Sequence, residues 1–389
     1  MLKNIKIVNA RIPGYQESQQ VSINSQGIIE NISSMSKSFK SIESETILDL
    51  KEDNLSLGGI DLQINGGLGL SFPEIEEENL PILQNICDFL WQEGIDGFCP
   101  TIVTTSVKNI QRSLSVIDKF ISKQTIKPEE TAKVLGIHLE GPFLNPQKKG
   151  AHPEQYLLTP SVEAAKLILG DYAHRVKIMT LASELDSTDK VIPYLKGQGI
   201  IVSLGHSQAT DKEAKKAFGL GASMVTHAYN AMPPLHHRNS GLLGEAIINK
   251  NVYCGLIADG RHVCPTMIEI LLKSSHYDQG VFLVSDALSP IGLGDGIYPW
   301  DERQIEVKQG TASLANGTLS GTTLPLFSGL KNLVKWEVCE VETAISLGTE
   351  SPRKAINMPG ISIGQPAHLL RWHWDKISRI LNWERLNNG

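Results

Sequence analysis

Four residues that could bind a metal and transfer protons each follow a short apolar run. Glu140 ends KVLGIHLE, His206 ends IIVSLGH, His227 lies in SMVTHAYN, and Asp286 follows VFLVS. Two imidazoles and a carboxylate suit zinc or ferrous iron, with coordination positions left open for water. A metal-bound water has a pKa near neutrality, and a neighbouring carboxylate can accept its proton. We therefore predict Glu140, His206 and His227 as metal ligands and Asp286 as the proton acceptor.

A structural role is the simpler explanation for any one of these residues, since a lone histidine after a strand is usually a hydrogen-bonded core residue. Four chemically matched residues after four such runs favour a functional site instead. Two other segments are weaker evidence of a functional site. Residues 65–69, NGGLG, lack the G-x-G-x-x-G spacing and the lysine of a phosphate loop, and residues 319–323 form no G-x-S-x-G elbow.

Eight apolar runs alternate with amphipathic segments from Leu57 onward. The runs are LGGIDLQIN, GIDGFCPTIV, KVLGIHLEG, KIMTLAS, IIVSLGH, SMVTHAYN, VYCGLIADG and VFLVSDA. Strand and helix in alternation indicate parallel strands with crossover helices, and eight units favour a closed (β/α)₈ barrel. The active sites of such barrels lie at the carboxyl ends of the strands, where the four candidate residues are expected.

The two ends of the chain carry short strand patterns instead. Residues 1–55 alternate between apolar and polar side chains, and a strand pattern returns in ISIGQPAHLLRWHW. Neither end has enough apolar sequence to fold separately. We therefore predict an α/β protein: a small β-sandwich domain built from residues 1–55 and 361–389, and a TIM-like catalytic barrel over residues 56–360.

The charge and the cysteine content limit which binding partners and which cellular compartment we expect for the protein. The chain has a net charge of −6 and no Lys/Arg cluster of the nucleic-acid-binding type. No run is long enough to span a membrane, and the N-terminal residues lack the apolar stretch of a signal peptide. Five cysteines without a C-x-x-C pair argue against a disulfide framework and a zinc ribbon. We expect a cytoplasmic protein with a small-molecule substrate and neither nucleic acid nor membrane as partner.

Six ordered segments resemble the N-acetylglucosamine-6-phosphate deacetylase family of the amidohydrolase superfamily. They are HLEGPFLNPQKKGAHP, SLGHSQAT, THAYNAMPPLHHR, GLIADGRHV, LVSDALSPIG and LSGTTL. The resemblance implies hydrolysis of the acetamide of N-acetyl-D-glucosamine 6-phosphate to D-glucosamine 6-phosphate and acetate. The family's metal ligands fall on Glu140, His206 and His227, and its catalytic aspartate on Asp286.

The same resemblance implies a homodimer with the sites near the interface, so that a partner subunit supplies some phosphate contacts. It also implies a set of substrate-binding residues in the loops that follow the strands. These residues are His152, Asn230, Ala231, Arg238 and His262. A guanidinium group suits phosphate oxygens, so Arg238 is the expected phosphate contact.

The end of the first apolar run departs from the His-x-His pair that holds a second metal in many amidohydrolases. This chain has Gln63-Ile64-Asn65 there, and neutral amides are weak metal ligands beside imidazole. We therefore predict one divalent metal per subunit, with zinc favoured and iron as the alternative. Gln63 and Asn65 are candidates for holding a water or a second metal.

Three alternatives stay open. A deacetylase for N-acetylgalactosamine 6-phosphate and a cyclic-amide hydrolase would both keep the metal ligands and Asp286. The sugar loop around Asn230, Arg238 and His262 speaks against cyclic amides. A non-catalytic sugar-phosphate-binding barrel would be indicated by the loss of Asp286 or of a ligand, and none of these residues is missing.

Overall fold

Strands and helices alternate over most of the chain. The computed structural model describes residues 4–36, 46–124 and 130–386. Its strands are β1 (Ile5–Ala10), β2 (Gln19–Ile23), β3 (Ile29–Ser34), β4 (Thr46–Asp49), β5 (Asn54–Leu57), β6 (Gly59–Ile64), β7 (Gly66–Gly67), β8 (Leu70–Ser71), β9 (Ile95–Val103), β10 (Lys133–Val134), β11 (Ile137–Glu140), β12 (Val176–Leu181), β13 (Ile201–Leu204), β14 (Met224–Val225), β15 (Tyr253–Leu256), β16 (Val281–Leu283), β17 (Gly296–Trp300), β18 (Arg303–Lys308), β19 (Thr311–Leu314), β20 (Leu319–Thr322), β21 (Leu369–Asp375) and β22 (Ile380–Arg385).

The α-helices lie between the barrel strands and after the last of them. They are α1 (Leu80–Gln92), α2 (Val107–Gln124), α3 (Val162–Leu169), α4 (Val191–Gly197), α5 (Asp211–Leu220), α6 (Gly241–Ile248), α7 (Pro265–Ser274), α8 (Leu326–Lys335), α9 (Val341–Gly348) and α10 (Glu350–Ala355). Among the described residues, no helix has the length and apolar character needed to cross a membrane.

Eight parallel strands form the barrel that the sequence predicts. They follow one another as β6, β9, β11, β12, β13, β14, β15 and β16, each hydrogen-bonded to the next. The first and last strands meet at the end of β6 and just beyond the end of β16. Asp286 N donates to Gln63 O at 2.9 Å, and Asn65 N donates to Ala287 O at 2.7 Å. The (β/α)₈ prediction is confirmed, and these bonds place the end of the first strand beside Asp286.

The crossover helices pack on the barrel because each has one apolar face. In α2 the buried residues Ile110, Leu114 and Ile117 are spaced four and three residues apart, the period of one helix face.

Local sequence also determines where helices begin. The Thr210 side chain accepts the backbone N–H of Glu213, and the Glu213 carboxylate accepts that of Thr210, which is a capping box. This cap fixes the start of the helix that follows strand β13.

Two sheets outside the barrel combine the two ends of the chain. One has the order β3-β2-β1-β4 and the other the order β22-β21-β5. Leu369 of β21 lies in the same apolar cluster as Ile7 and Val21. These contacts support the predicted terminal domain, whose boundaries at residues 55/56 and 360/361 we keep as a proposal. Residues 1–3, 37–45 and 387–389 of that domain lie outside the described residues.

A further antiparallel sheet, which the sequence analysis did not predict, follows the last barrel strand. It has the order β17-β18-β19-β20. Its strand RQIEVK buries Ile305 and Val307 on one face, so this strand was recognisable by its period of two. Leu288 N donates to Thr322 O at 2.9 Å, and this bond attaches the sheet to the carboxyl end of β16.

Trp372 joins the terminal sheets to the barrel. Its side chain is fully buried, and its indole N–H donates to Ser56 Oγ at 2.8 Å. Its ring also packs against Phe327 of α8, with the ring centroids 4.8 Å apart. The side chain therefore contacts both the three-stranded sheet and a barrel helix.

We expect Trp372→Ala to lower the free energy of unfolding by about 3–5 kcal/mol, because it removes a buried aromatic side chain. Urea unfolding measures the change. Ile377→Ala is the control, since Ile377 lies in the same hairpin but is 97% exposed, and its effect should stay within about 0.5 kcal/mol. Equal losses in both variants would mean that Trp372 does not join the two parts.

Candidate active site

Three side chains from the ends of barrel strands meet at one point. Glu140 ends β11, His206 follows β13, and His227 follows β14. His227 Nε2 lies 2.9 Å from Glu140 Oε1, His206 Nε2 lies 3.2 Å from the same oxygen, and the two Nε2 atoms are 3.0 Å apart. All three residues are buried. The structure thus brings together the three residues predicted as metal ligands, which we call the ligand cluster.

The backbone turns sharply where these side chains leave their strands. The φ angles of His206, His227 and Asp286 are 48°, 30° and 46°. Residues other than glycine adopt positive φ rarely, and such positions persist where the surrounding structure holds them. Three of them at three strand ends indicate that the barrel holds these side chains in place against a local backbone preference.

The hydrogen bonds of the ligand cluster favour a cation at its centre. His206 Nδ1 lies 2.8 Å from Lys148 O. Because a carbonyl oxygen can only accept, the proton of a neutral His206 ring is on Nδ1, and Nε2 presents a lone pair to Glu140 Oε1, itself an acceptor. A divalent metal bound between the two side chains would satisfy both lone pairs, and His227 Nε2 lies close enough to join them as a third ligand. The residues therefore fit a His₂Glu metal site.

Glu140 is held in its charged form within this cluster. Burial alone would raise its pKa, but the interactions with the neighbouring imidazoles of His206 and His227 outweigh burial and hold the pKa of Glu140 well below its usual range. An ionised carboxylate is the form that binds a metal. The carboxylate therefore needs no deprotonation before metal binding at neutral pH.

Asp286 lies beside the ligand cluster with its carboxyl group held by two amides. Asn65 Nδ2 donates to Asp286 Oδ1 at 2.8 Å, and Gln63 Nε2 donates to the same oxygen at 3.2 Å. Burial, and next the negative charge of Glu140, raise the pKa of Asp286 to about 7. A carboxyl group with a pKa near neutrality can both accept and return a proton.

Gln63 and Asn65 use their amides as donors in this arrangement. Gln63 Nε2 also donates to Glu140 Oε1 at 3.1 Å, so it links the two carboxylates. Asn65 Oδ1 is buried and has no hydrogen-bond partner among the described residues. This oxygen is therefore the atom of the pair that is available to hold a water.

His152 approaches the cluster from the loop after β11. Its ring is edge-on to that of His206, with the centroids 4.4 Å apart, and its Nδ1 lies 2.9 Å from the Thr104 hydroxyl. Ligand atoms of His152, Glu140 and His206 lie within 4.8 Å of one another. Burial, and next the charge of His206, lower the pKa of His152 to about 3. The ring is therefore neutral and within reach of anything bound at the ligand cluster.

His262 is oriented by a carboxylate that the sequence analysis assigned no role. His262 Nδ1 lies 2.7 Å from Asp259 Oδ2, and the backbone N–H of His262 donates to Asp259 Oδ1 at 2.8 Å. Burial would raise the pKa of Asp259, but the hydrogen bond from His262 outweighs it and lowers the pKa. The ionised Asp259 therefore holds the Nδ1 proton of His262.

A cavity of about 870 Å³ contains the cluster and its surroundings. The predicted site residues that line it are Asn65, Glu140, His152, His206, His227, Asn230, Ala231, His262 and Asp286. Arg238 is not among the described residues that line this cavity and is exposed in the loop before α6. The expected phosphate contact is thus not brought into the cavity of its own chain.

The β17–β20 sheet contributes cavity residues that the sequence analysis missed. Trp300, Arg303 and Ser320 all line the cavity. The guanidinium of Arg303 lies over the Trp300 ring, 4.6 Å from its centroid, and pairs with Asp301. Alternation along the sequence could have predicted these strands. Their position over the cavity depends on the long-range attachment to the barrel, which no local pattern indicates.

Sequence and structure relate the chain to known deacetylases over most of its length, although no protein-family model matches it. It is 35% identical over 314 residues to an N-acetylglucosamine-6-phosphate deacetylase of Bos taurus, covering 78% of this chain and 75% of that protein. It is 30% identical over 302 residues to an N-acetylgalactosamine-6-phosphate deacetylase of Escherichia coli, covering 78% of each. The crystal structure of N-acetylglucosamine-6-phosphate deacetylase from Pasteurella multocida superposes with a TM-score of 0.82 at 30% identity, covering 99% of this chain and 98% of that one. The chain therefore belongs to the N-acetylglucosamine-6-phosphate deacetylase family.

Proposed function

We propose that the chain hydrolyses the acetamide of N-acetyl-D-glucosamine 6-phosphate, giving D-glucosamine 6-phosphate and acetate. The observation that carries this proposal is the convergence of Glu140, His206 and His227 beside Asp286, whose pKa near 7 suits proton transfer. Family membership supports the substrate, since the bovine relative is named for this activity.

In this proposal Glu140, His206 and His227 hold one divalent metal per subunit, with zinc favoured and iron as the alternative. Two imidazoles and a carboxylate suit both ions. When bound, the metal activates a water and polarises the acetamide carbonyl. The amide donors Gln63 and Asn65, in place of two further imidazoles, support a single ion.

Asp286 transfers the proton. It accepts a proton from the attacking water and returns it to the sugar nitrogen as the C–N bond breaks, so its carboxyl group is neutral between the two steps. Asn65 and Gln63 hold the accepting oxygen in place through their N–H groups. The neutral ring of His152 donates a hydrogen bond to the oxygen on which negative charge develops.

The remaining substrate contacts are assigned to Asn230, Ala231 and His262, which line the cavity. Arg238 is exposed outside the cavity of its own chain, so it would have to reach the phosphate bound to a second copy. This placement supports a homodimer in which the loop of one subunit completes the site of the other. Exposed Leu235, in the same loop, is an apolar side chain that such an interface would cover.

The second candidate substrate is N-acetyl-D-galactosamine 6-phosphate, because the Escherichia coli relative is named for that epimer. Initial rates with the two sugar phosphates distinguish the candidates. A higher kcat/KM for the galactosamine epimer would replace the glucosamine proposal with this one.

A cytoplasmic location is also proposed, supported by five cysteines that form no disulfide.

We expect the purified protein to contain about one zinc or iron per chain, the stoichiometry of a His₂Glu site. It should release acetate from N-acetylglucosamine 6-phosphate only while that metal is bound. Elemental analysis and an acetate assay, before and after chelation, measure both properties. Two fully occupied metals per chain would contradict the single-ion proposal, and acetate release that survives complete metal removal would contradict the proposed site.

We expect Asp286→Asn to lower kcat by at least about a hundredfold, because an amide cannot accept the proton from water. Metal content should stay near normal, since Glu140, His206 and His227 remain. Asp189→Asn, at an exposed ion pair with Lys216, is the control and should leave kcat unchanged. A near-normal kcat with metal bound would reject Asp286 as the proton acceptor, and loss of the metal would make it chiefly a ligand.

The same variant should change the pH dependence of stability in the metal-free protein. The pKa of Asp286 is about 7 in the folded protein, against the ordinary pKa of 3.8 for an aspartate side chain. Ionising this carboxyl group therefore opposes folding: the effect is absent below about pH 4, grows from there to pH 7, and is complete above pH 7. Chelated Asp286→Asn should melt above the wild type at pH 8 and together with it near pH 4. A constant difference across this range would contradict the raised pKa.

We expect Arg238→Ala to raise KM for the phosphorylated sugar roughly ten- to a hundredfold, since a hydrogen bond to a charged group contributes about 1.5–3 kcal/mol. KM for the unphosphorylated sugar should change little. Arg379→Ala, at an exposed ion pair in the terminal hairpin, controls for the loss of a surface arginine. Equal increases in KM for both sugars would show that Arg238 does not meet the phosphate.

A further inference from the structure

A chain of buried hydrogen bonds runs across four neighbouring barrel strands, next to the ligand cluster. His138 Nε2 lies 2.8 Å from Thr180 Oγ1, Thr180 Oγ1 lies 2.7 Å from Thr226 Oγ1, and Thr226 Oγ1 lies 2.6 Å from Ser203 Oγ. None of the four side chains is more than 3% exposed. They come from β11, β12 and β13 and from the residue after β14. We call these four residues the hydroxyl belt.

The belt touches the segments that carry all three proposed ligands. His138 precedes Glu140 by two residues on β11, so the two side chains leave the same face of the strand. Thr226 directly precedes His227. Gly205 directly precedes His206, and a Cβ added to it would lie 2.9 Å from Thr226 Cβ. The absence of a side chain at Gly205 therefore lets the His206 segment pack directly on the belt.

The hydrogen bonds of the belt have one direction. His138 Nδ1 lies 3.0 Å from Leu62 O, which can only accept, so Nδ1 carries a ring proton. In the singly protonated ring Nδ1 donates and Nε2 accepts. Thr180 must then donate to His138, Thr226 to Thr180, and Ser203 to Thr226. Each hydroxyl has one orientation, which holds its side chain and backbone in one position.

His227 has more need of such support than His206 has. Histidines that bind metals usually donate their second ring N–H to a fixed acceptor, which sets the ring orientation. His206 has that acceptor in Lys148 O. His227 Nδ1 is buried and has no hydrogen-bond partner among the described residues, and its φ is 30°. Its Nδ1 atom therefore gives the ring no such support, and the backbone of His227 follows directly on Thr226.

We propose that the hydroxyl belt is a positioning device for metal binding, in which the Thr226 hydroxyl holds His227 and the His206 segment at the spacing of the ligand cluster. This inference rests on the proposed metal site. None of the four belt residues is assigned to contact the substrate. Their effect is on the geometry of the ligands, and metal affinity therefore reports it directly.

The test replaces Thr226 with valine, which keeps the shape of the side chain but breaks its bonds to Thr180 and Ser203. We expect the affinity for zinc, measured by competition with a chelator of known affinity, to fall about 10- to 100-fold, the usual effect of losing partners that orient metal ligands. Thr226→Ser keeps the hydroxyl and should retain an affinity close to that of the wild type.

Ser113→Ala is the matched control. Ser113 also has a fully buried hydroxyl, which donates to Pro73 O at 3.2 Å outside the belt. Melting temperatures of the metal-free proteins are measured alongside, and the control should lose stability without losing zinc affinity. If Thr226→Val does not fold, Ser203→Ala removes only the last donor of the belt and should lower zinc affinity in the same direction.

The outcomes separate the inference from the proposed function. A wild-type protein that binds no zinc or iron would overturn the metal site itself. Wild-type zinc affinity in Thr226→Val, or in Ser203→Ala where the valine variant does not fold, would overturn the belt while leaving the metal site in place. An equally large loss of affinity in Ser113→Ala would show a general effect of stability and would also overturn the role of the belt.

Discussion

Two carboxyl groups, of Glu140 and Asp286, share a buried space with the imidazoles of His206 and His227. The rest of the site depends on how the charges of these crowded groups are compensated. Burying charge is unfavourable unless partners compensate it. The pKa of Glu140 falls and that of Asp286 rises to about 7, so one carboxyl group is ionised while its neighbour resists ionisation. A metal held by Glu140 would add positive charge where the cluster lacks it. Metal binding there would therefore be linked to the proton affinity of Asp286.

The barrel resolves this crowding through its geometry. Parallel strands end at one face, so residues far apart in sequence meet there without a long loop. The meeting of the first and last strands places the amides of Gln63 and Asn65 against Asp286. The β17–β20 sheet contributes as well, because a Cβ added to Gly321 would lie 2.6 Å from Asp286 O. Only a residue without a side chain lets β20 pass this close to the chain at Asp286.

The parts of the structure that could be predicted from sequence are those with a local signal. Apolar runs ending in Glu140, His206, His227 or Asp286 indicate both the barrel and its site, because strand ends and active-site position coincide in this fold. Threonines and serines in strands have no such signal. Nothing about Thr180 or Thr226 in the sequence distinguishes a hydrogen-bonded belt from ordinary strand residues, since the belt exists only when four strands are side by side. The placement of the β17–β20 sheet depended on long-range bonds in the same way.

The location of Arg238 has an electrostatic consequence under the proposed function. A phosphate needs a cationic contact, but a guanidinium close to Asp286 would favour the ionised carboxylate and lower its pKa. A lower pKa would make the protonated form scarce when the sugar nitrogen has to receive its proton. Asp286 is buried at the strand ends, whereas Arg238 is exposed in a loop outside the cavity of its own chain. A loop of a second copy can bring the charge to the phosphate end of the substrate, away from the acetamide. Recognition of the phosphate and tuning of the proton-transfer group can then proceed in one cavity without opposing each other.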